Sequence, residues 1–425
     1  MTVNPRSQSR VLTAFIASGL FFMLIPGTFL GVLNLIQVSA RGSVSLVEPA
    51  WIQAHGHAQV FGWVGSFILG IGFYSLRQTP GGSSSRLAAG WITWALWTTG
   101  VTMRWAANGY ADVLPWRVLL PLSAGCELAA FLIFGRAVSG HRPPTAGDRL
   151  DPWIKVVITG TVGFAATLVA NAVACGLLAW RGQTPAIEHR WDQRFLVLVM
   201  WGWLAPVVWG FSARWLPVLL GLPPVRFAWL FTALVVNTVA VALSLAGFGD
   251  YATPLFAVAA ILAAGALHIF TRASAEPKIR GVHPTFPVFV RLAYVWLVVA
   301  AVTAVGAALF DRSGGIWGAS RHAFTVGFVS VMVFAIGQRM LPAFAGHRLL
   351  WSPGFMFAGL ALLVAGCTLR VSAEILAYQE YAHWAWTWLP ISAVIELTAV
   401  TLFAVNMTAT LAGSDQPDLE VTAAA

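Results

Sequence analysis

A backbone that crosses hydrocarbon must satisfy its own N–H and C=O groups, so it spans either as a helix of about 20 residues or as a strand of a closed barrel. Apolar stretches of roughly helical length recur twelve times here. They cover residues 11–36, 51–76, 87–103, 118–138, 153–180, 195–220, 227–247, 253–270, 286–310, 322–341, 355–369 and 384–407. With 58% hydrophobic and 10% charged residues, the chain predicts an all-α membrane protein of twelve transmembrane helices. It reads as one polytopic domain over residues 1–425, with a short cytoplasmic tail at 411–425. Val38-Ser39-Ala40 has the small residues of a signal-cleavage site, but the preceding apolar stretch is too long for a signal core, so the first helix is expected to stay.

The net charge of +9 does not point to nucleic acid, because of how it is distributed. With the N-terminus inside, the inner segments hold 16 Lys/Arg and the outer ones 9. That bias predicts both termini in the cytoplasm, and tryptophans near helix ends fit interfacial belts. The lipid bilayer is the partner that composition itself demands.

Internal repetition comes next. His57, Ala58, Gly62, Val64, Ile71, Gly72 and Leu76 are matched at identical offsets by His322, Ala323, Gly327, Val329, Ile336, Gly337 and Leu341, 265 residues later. Gly100-Val101-Thr102-Met103-Arg104 corresponds to Gly366-Cys367-Thr368-Leu369-Arg370, and Ser123-Ala124-x-x-Glu127 to Ser392-Ala393-x-x-Glu396. A more diverged copy lies between: Arg214-Trp215-Leu216-Pro217 matches Arg339-Met340-Leu341-Pro342. The reading is three four-helix repeats, at about 10–138, 152–273 and 286–410, around a pseudo-threefold axis. Helices 2, 6 and 10 then hold equivalent places, and helix 6 lacks the histidine.

Ionisable and ligating side chains are costly inside a bilayer and are functional by default. Two matched histidines, His57 and His322, at one depth on matched helices predict a shared metal or haem site. His55 and His57 point roughly 200° apart on a helix, so both cannot hold one small ion. Either of them is a ligand candidate, the other then serving a second site or the aqueous rim, and His383, at the outer entry to helix 12, is a further candidate for a second metal. Arg104 and Arg370, at the outer ends of helices 3 and 11, suit haem propionates or headgroups equally. Arg214 and Arg339 suit helix C-termini without further role. Glu127 and Glu396 are read as the two acids well inside apolar segments, serving proton relay or structure. His141, His189, His268, His283 and His347 fall in loops or at helix ends, where solvent or lipid contact suffices. Cys126, Cys175 and Cys367 form no C-x-x-C or C-x-x-C-H, which removes thiolate zinc and c-type haem and leaves them as buried small residues.

His55-Gly56-His57-x-x-x-Phe61-Gly62-Trp63 resembles the H-x-H-x-x-x-F-G-[FW] segment of the NnrS proteins. His322-Ala323-Phe324-Thr325-Val326-Gly327 resembles their H-A-x-T-V-G segment, with Arg339 near the arginine that follows there. The resemblance implies a bacterial inner-membrane protein of twelve helices carrying haem b and copper. It also implies work in nitric oxide metabolism or the nitrosative-stress response, with an electron donor the residues do not name. Ala58-Gln59 stand where that family commonly has an acidic residue and a methionine, and Gly346-His347 are displaced from its G-H-T-G stretch.

There is a wider likeness to subunit I of haem-copper oxidases, which has twelve helices in three arcs and haem ligands on helices 2 and 10. The copper-B site of those enzymes needs histidines on helices 6 and 7, and residues 195–220 and 227–247 contain none. A terminal oxidase is therefore excluded. A non-enzymatic copper or small-solute carrier on the same scaffold is the alternative.

Overall fold

The computed structural model describes residues 5–43, 47–75, 84–139, 150–344 and 349–413. All regular structure among them is helical. The helices are α1 (residues 5–41), α2 (residues 49–75), α3 (Ser84–Gly109), α4 (Trp116–Ser139), α5 (Pro152–Arg181) and α6 (His189–Leu220). Then follow α7 (Phe227–Ala246), α8 (Gly249–Ala266), α9 (Phe286–Phe310), α10 (Gly315–Phe344), α11 (Pro353–Tyr378) and α12 (Ala385–Ala412). Ten are long and apolar enough to cross a membrane, so the chain is a multi-pass membrane protein.

Local chemistry sets the boundaries. Glycines in the left-handed conformation, Gly182, Gly221 and Gly247, end α5, α6 and α7, where a Cβ would be penalised. Ser352 accepts from the Phe355 N–H and Pro353 fills the first turn of α11, an N-terminal pairing that leaves few orphan donors. Two helices are longer than their hydropathy suggests. The apolar windows 87–103 and 355–369 stop at Arg104 and Arg370, yet both arginines are buried, and α3 and α11 continue past them. A charge facing a partner inside the bundle does not end a helix.

Burial divides the helices into a lining and a rim. In their most apolar windows α6 is 67% and α10 is 61% buried, against 28% for α5 and 39% for α4, α7, α9 and α12. The central part of α2 is similarly enclosed, with Phe61, Gly62, Trp63, Val64 and Gly65 all buried. The most extensive helix packing is α3 on α4, α7 on α8 and α11 on α12. Two of these pairs are built alike. A Cβ on Gly100 would sit 2.8 Å from Glu127 Cγ, and one on Gly366 would sit 2.7 Å from Glu396 Cγ. Each glutamate thus seats itself where its neighbour has no side chain.

Each of α2, α6 and α10 contains one widened, π-helical segment: Ala58–Gly65, Leu198–Leu204 and Ala323–Ser330. The segment starts directly after His57, Val197 and His322. A π turn breaks the ordinary ladder of carbonyl acceptors, and such turns occur often at functional sites. The freed carbonyls are met from neighbouring helices. Trp97 Nε1 of α3 donates to Phe61 O at 3.2 Å, and Asn237 Nδ2 of α7 donates to Trp201 O at 2.7 Å. Phe61 and Trp201 stand four residues beyond His57 and Val197. In α10 the Ser330 hydroxyl reaches back five residues to Thr325 O at 2.8 Å.

Candidate functional site

The start of α10 is fixed by Asp311, whose carboxylate accepts from Ser313 N (3.1 Å), Gly314 N (2.9 Å) and Trp317 N (2.8 Å). That anchor sets the helix phase one to two turns later, at Arg321 and His322. The start of α2 is held by Gln53, which donates to Ile187 O and accepts from Ile187 N, both at 2.8 Å. The same clamp brings the beginnings of α2 and α6 to one end of the bundle.

His55 and His57 face different helices. His55 Nδ1 lies 2.8 Å from Gly27 O, in the π segment Met23–Phe29 of α1. A carbonyl only accepts, so Nδ1 carries the proton and Nε2 keeps its lone pair. The ring is tucked against α1 at Gly31, where a Cβ would stand 2.7 Å from His55 Cε1. His55 is within electrostatic range of His322 and Arg370.

His322 has matching chemistry. Its Nδ1 donates to Gly318 O at 2.9 Å, one turn back in α10, and lies 3.0 Å from Glu374 Oε2. Its Nε2 also keeps a free lone pair. Glu374, on α11, faces Arg370 Nη2 at 3.5 Å and packs on the bare backbone of Gly318. Arg321 lies within range of Glu374, Asp192 and Asp311. Arg370 Nε and Nη1 and Trp63 Nε1 are buried without hydrogen-bond partners, an arrangement that is costly unless something accepts from them.

His57 belongs to a second buried network, reaching from α2 through α4 and α5 to α3. Its Nε2 is 2.7 Å from Glu127 Oε1, and Phe61 stacks on the ring at 4.3 Å. Asn171 Nδ2 of α5 donates to Glu127 Oε2 at 3.1 Å. Cys175 Sγ is 3.6 Å from Asn171 Oδ1 and accepts from Arg104 Nη1 at 2.6 Å. Arg104, Glu127, Asn171 and Cys175 are each at most 2% exposed.

Several sequence expectations are revised here. Arg104 and Arg370 are not at helix ends but buried inside α3 and α11. Cys175 is not simply a small apolar filler, since it receives a guanidinium. The acids inside apolar segments include Glu374, hidden from the sequence reading because the eleventh span was ended before it. Asn171, Asp192 and Arg321 were also missed. The i, i+4 spacing of Asn171 and Cys175 was the one available signal, and it is weak. His383 is exposed in the turn before α12. His189 is exposed, His268 is buried, and His283 Nδ1 is 2.7 Å from Thr285 Oγ1. His141, His347 and Leu76 lie outside the described residues. Among the described residues no group of three or more His, Cys, Asp or Glu is placed to hold a metal ion.

Comparison with known proteins gives the fold but not the activity. Residues 220–411 match a family model described as a domain of unknown function, DUF8744. No curated protein sequence matches the chain. Among solved structures the chain is similar to one reported as a haem-copper terminal oxidase dimer, with a TM-score of 0.58 and 12% identity over 96% of this chain and 85% of that one. At that identity the likeness is one of architecture. The chain has a haem-copper-oxidase-like helical membrane fold.

Proposed function

We propose that this chain is a twelve-span membrane protein of the NnrS type, in the bacterial inner membrane with both termini cytoplasmic. In this reading it carries haem b and acts in nitric oxide metabolism or the nitrosative-stress response. The observation that carries the reading is the pair His55 and His322. Each has Nδ1 held by a backbone carbonyl, at 2.8 and 2.9 Å, and each leaves Nε2 open. A carbonyl or carboxylate on the far ring nitrogen is the usual brace of a metal-bound imidazole, because it fixes tautomer and orientation.

The residues fit haem in a second way. Its propionates are anions that need donors in a dry site, and Arg370 offers two buried N–H-bearing nitrogens without partners. Arg104 has a buried unpaired Nε on the α3 side. Haem, when bound, supplies redox and nitrosyl chemistry. His55 and His322 would hold it, Glu374 and Gly27 would hold their tautomers, and Arg370 would neutralise the propionates. Sequence alone paired His57 with His322. His55 is favoured because it lies within electrostatic range of His322 and Arg370, whereas Glu127 holds His57 in the separate network with Asn171.

Three-repeat architecture accompanies this reading. It is supported by the π segments in α2, α6 and α10, by the carbonyls of Phe61 and Trp201 capped at equal offsets, and by the twin Gly–Glu seats. Copper rests on the family resemblance alone, as no ligand cluster among the described residues argues for it.

The test is a pyridine haemochrome spectrum of purified protein, wild type against three variants. His55→Ala and His322→Ala are expected to lose haem while still inserting in the membrane. His57→Ala is expected to keep it. A colourless wild type overturns the haem reading, and haem loss in His57→Ala with retention in His55→Ala overturns the choice of ligand.

A further inference from the structure

A partly open apolar cavity of about 120 Å³ lies where α2, α6 and α10 converge, away from the polar networks. Val64 and Ile68 line it from α2, Val208 from α6, and Met332 and Ile336 from α10. Apart from the Ser212 hydroxyl and the Trp215 indole, no lining side chain is polar. A buried water needs two to four polar partners, and apolar cavities of about 150 Å³ stay dry and take up xenon or benzene. Aromatic rings crowd the end remote from the histidines: Tyr74 stacks on Phe344 at 4.9 Å and Phe211 on Trp215 at 5.0 Å.

Val64 follows His57 by seven residues, and Val329, also in the lining, follows His322 by seven. Seven residues rise roughly 10 Å along a helix. The cavity thus begins about two turns beyond the histidines, on the same helices. We propose that it is a binding site for small apolar gas molecules, nitric oxide being one that fits. Gas binding follows from volume and lining alone; a role as a nitric oxide store beside the metal rests on the haem reading above.

Xenon separates the two claims. Structures of the whole protein determined under xenon pressure are expected to show xenon between Val208 and Met332, in wild type and equally in the haem-free His322→Ala variant. Gly337 lines the cavity, and a Cβ there would meet Leu341 Cδ1 at 3.7 Å and Phe403 Cζ at 3.9 Å. Gly337→Ala should therefore fold and lower xenon occupancy, and Gly337→Leu should abolish it. Ordered water, a lipid acyl chain or an empty cavity in xenon-pressurised wild type would each overturn the proposal. A colourless wild type that still binds xenon would overturn only the haem reading.

Discussion

Gly31→Ala is the sharpest probe of the proposed ligand geometry, because it adds one methyl group beside His55 without touching any ionisable residue. The new Cβ would stand 2.7 Å from His55 Cε1 and 3.0 Å from Nδ1, where ordinary contact begins at 3.4 Å. The ring must yield by the difference, about 0.7 Å. A movement of that size takes the 2.8 Å Nδ1–Gly27 O bond beyond the usual range of about 2.7–3.2 Å. Forcing a methyl group into a packed site costs about 1–3 kcal/mol. Losing the brace on a metal-bound histidine lowers affinity by about 10–100-fold. The variant is expected to insert normally, melt lower and lose haem to an apo-globin acceptor at least tenfold faster than wild type. Gly56→Ala is the control. It adjoins His55 in sequence, yet its Cβ would meet nothing within 4 Å, and it should match wild type in both assays. If Gly31→Ala retains haem as wild type does, His55 is not the ligand and the tautomer argument falls.

Other expectations are tested more briefly. His57→Ala leaves Glu127 buried beside Asn171 alone, and a buried group stripped of its partner costs about 1–3 kcal/mol; a thermal melt unchanged from wild type would refute the network. Asn237→Leu uncaps Trp201 O and should lower the melting temperature through a loss of about 1 kcal/mol, checked by the same melt. Cys175 and Cys367 are buried while Cys126 is partly exposed on the apolar span of α4, so a membrane-permeant maleimide should label Cys126 first in the folded protein, as peptide mass mapping would reveal. A periplasm-dependent reporter fused after Ala425 should be inactive, and activity there would reverse the proposed orientation.

Much of the architecture was legible because bilayer physics is severe: apolar length marks the helices of a multi-pass membrane protein. The opposed directions of His55 and His57 also follow from the helical period. What each histidine meets does not. Gly27, Glu127 and Glu374 lie 28, 70 and 52 residues away from their partners, and apolar sequence carries no record of which face packs where. Glu374 was missed for a related reason. Hydropathy treats Arg370 as a stop, whereas the folded chain offsets that charge with the carboxylate one turn later. The π segments left no trace at all, since a widened turn uses the same residues as an ordinary one.

Those widened turns make each central helix a two-part object. One extra residue in a turn rotates everything beyond it by about 100° relative to an uninterrupted helix. The half before the widened turn and the half after it are thus set in phase by a single residue. Helix α6 is the natural example, for Val197 stands where its counterparts have histidine while Trp201, Trp203 and Leu204 stay buried as a core. Single-residue deletions inside 58–65, 198–204 or 323–330 should then behave as phase errors, each turning the part of its own helix that lies beyond the deletion.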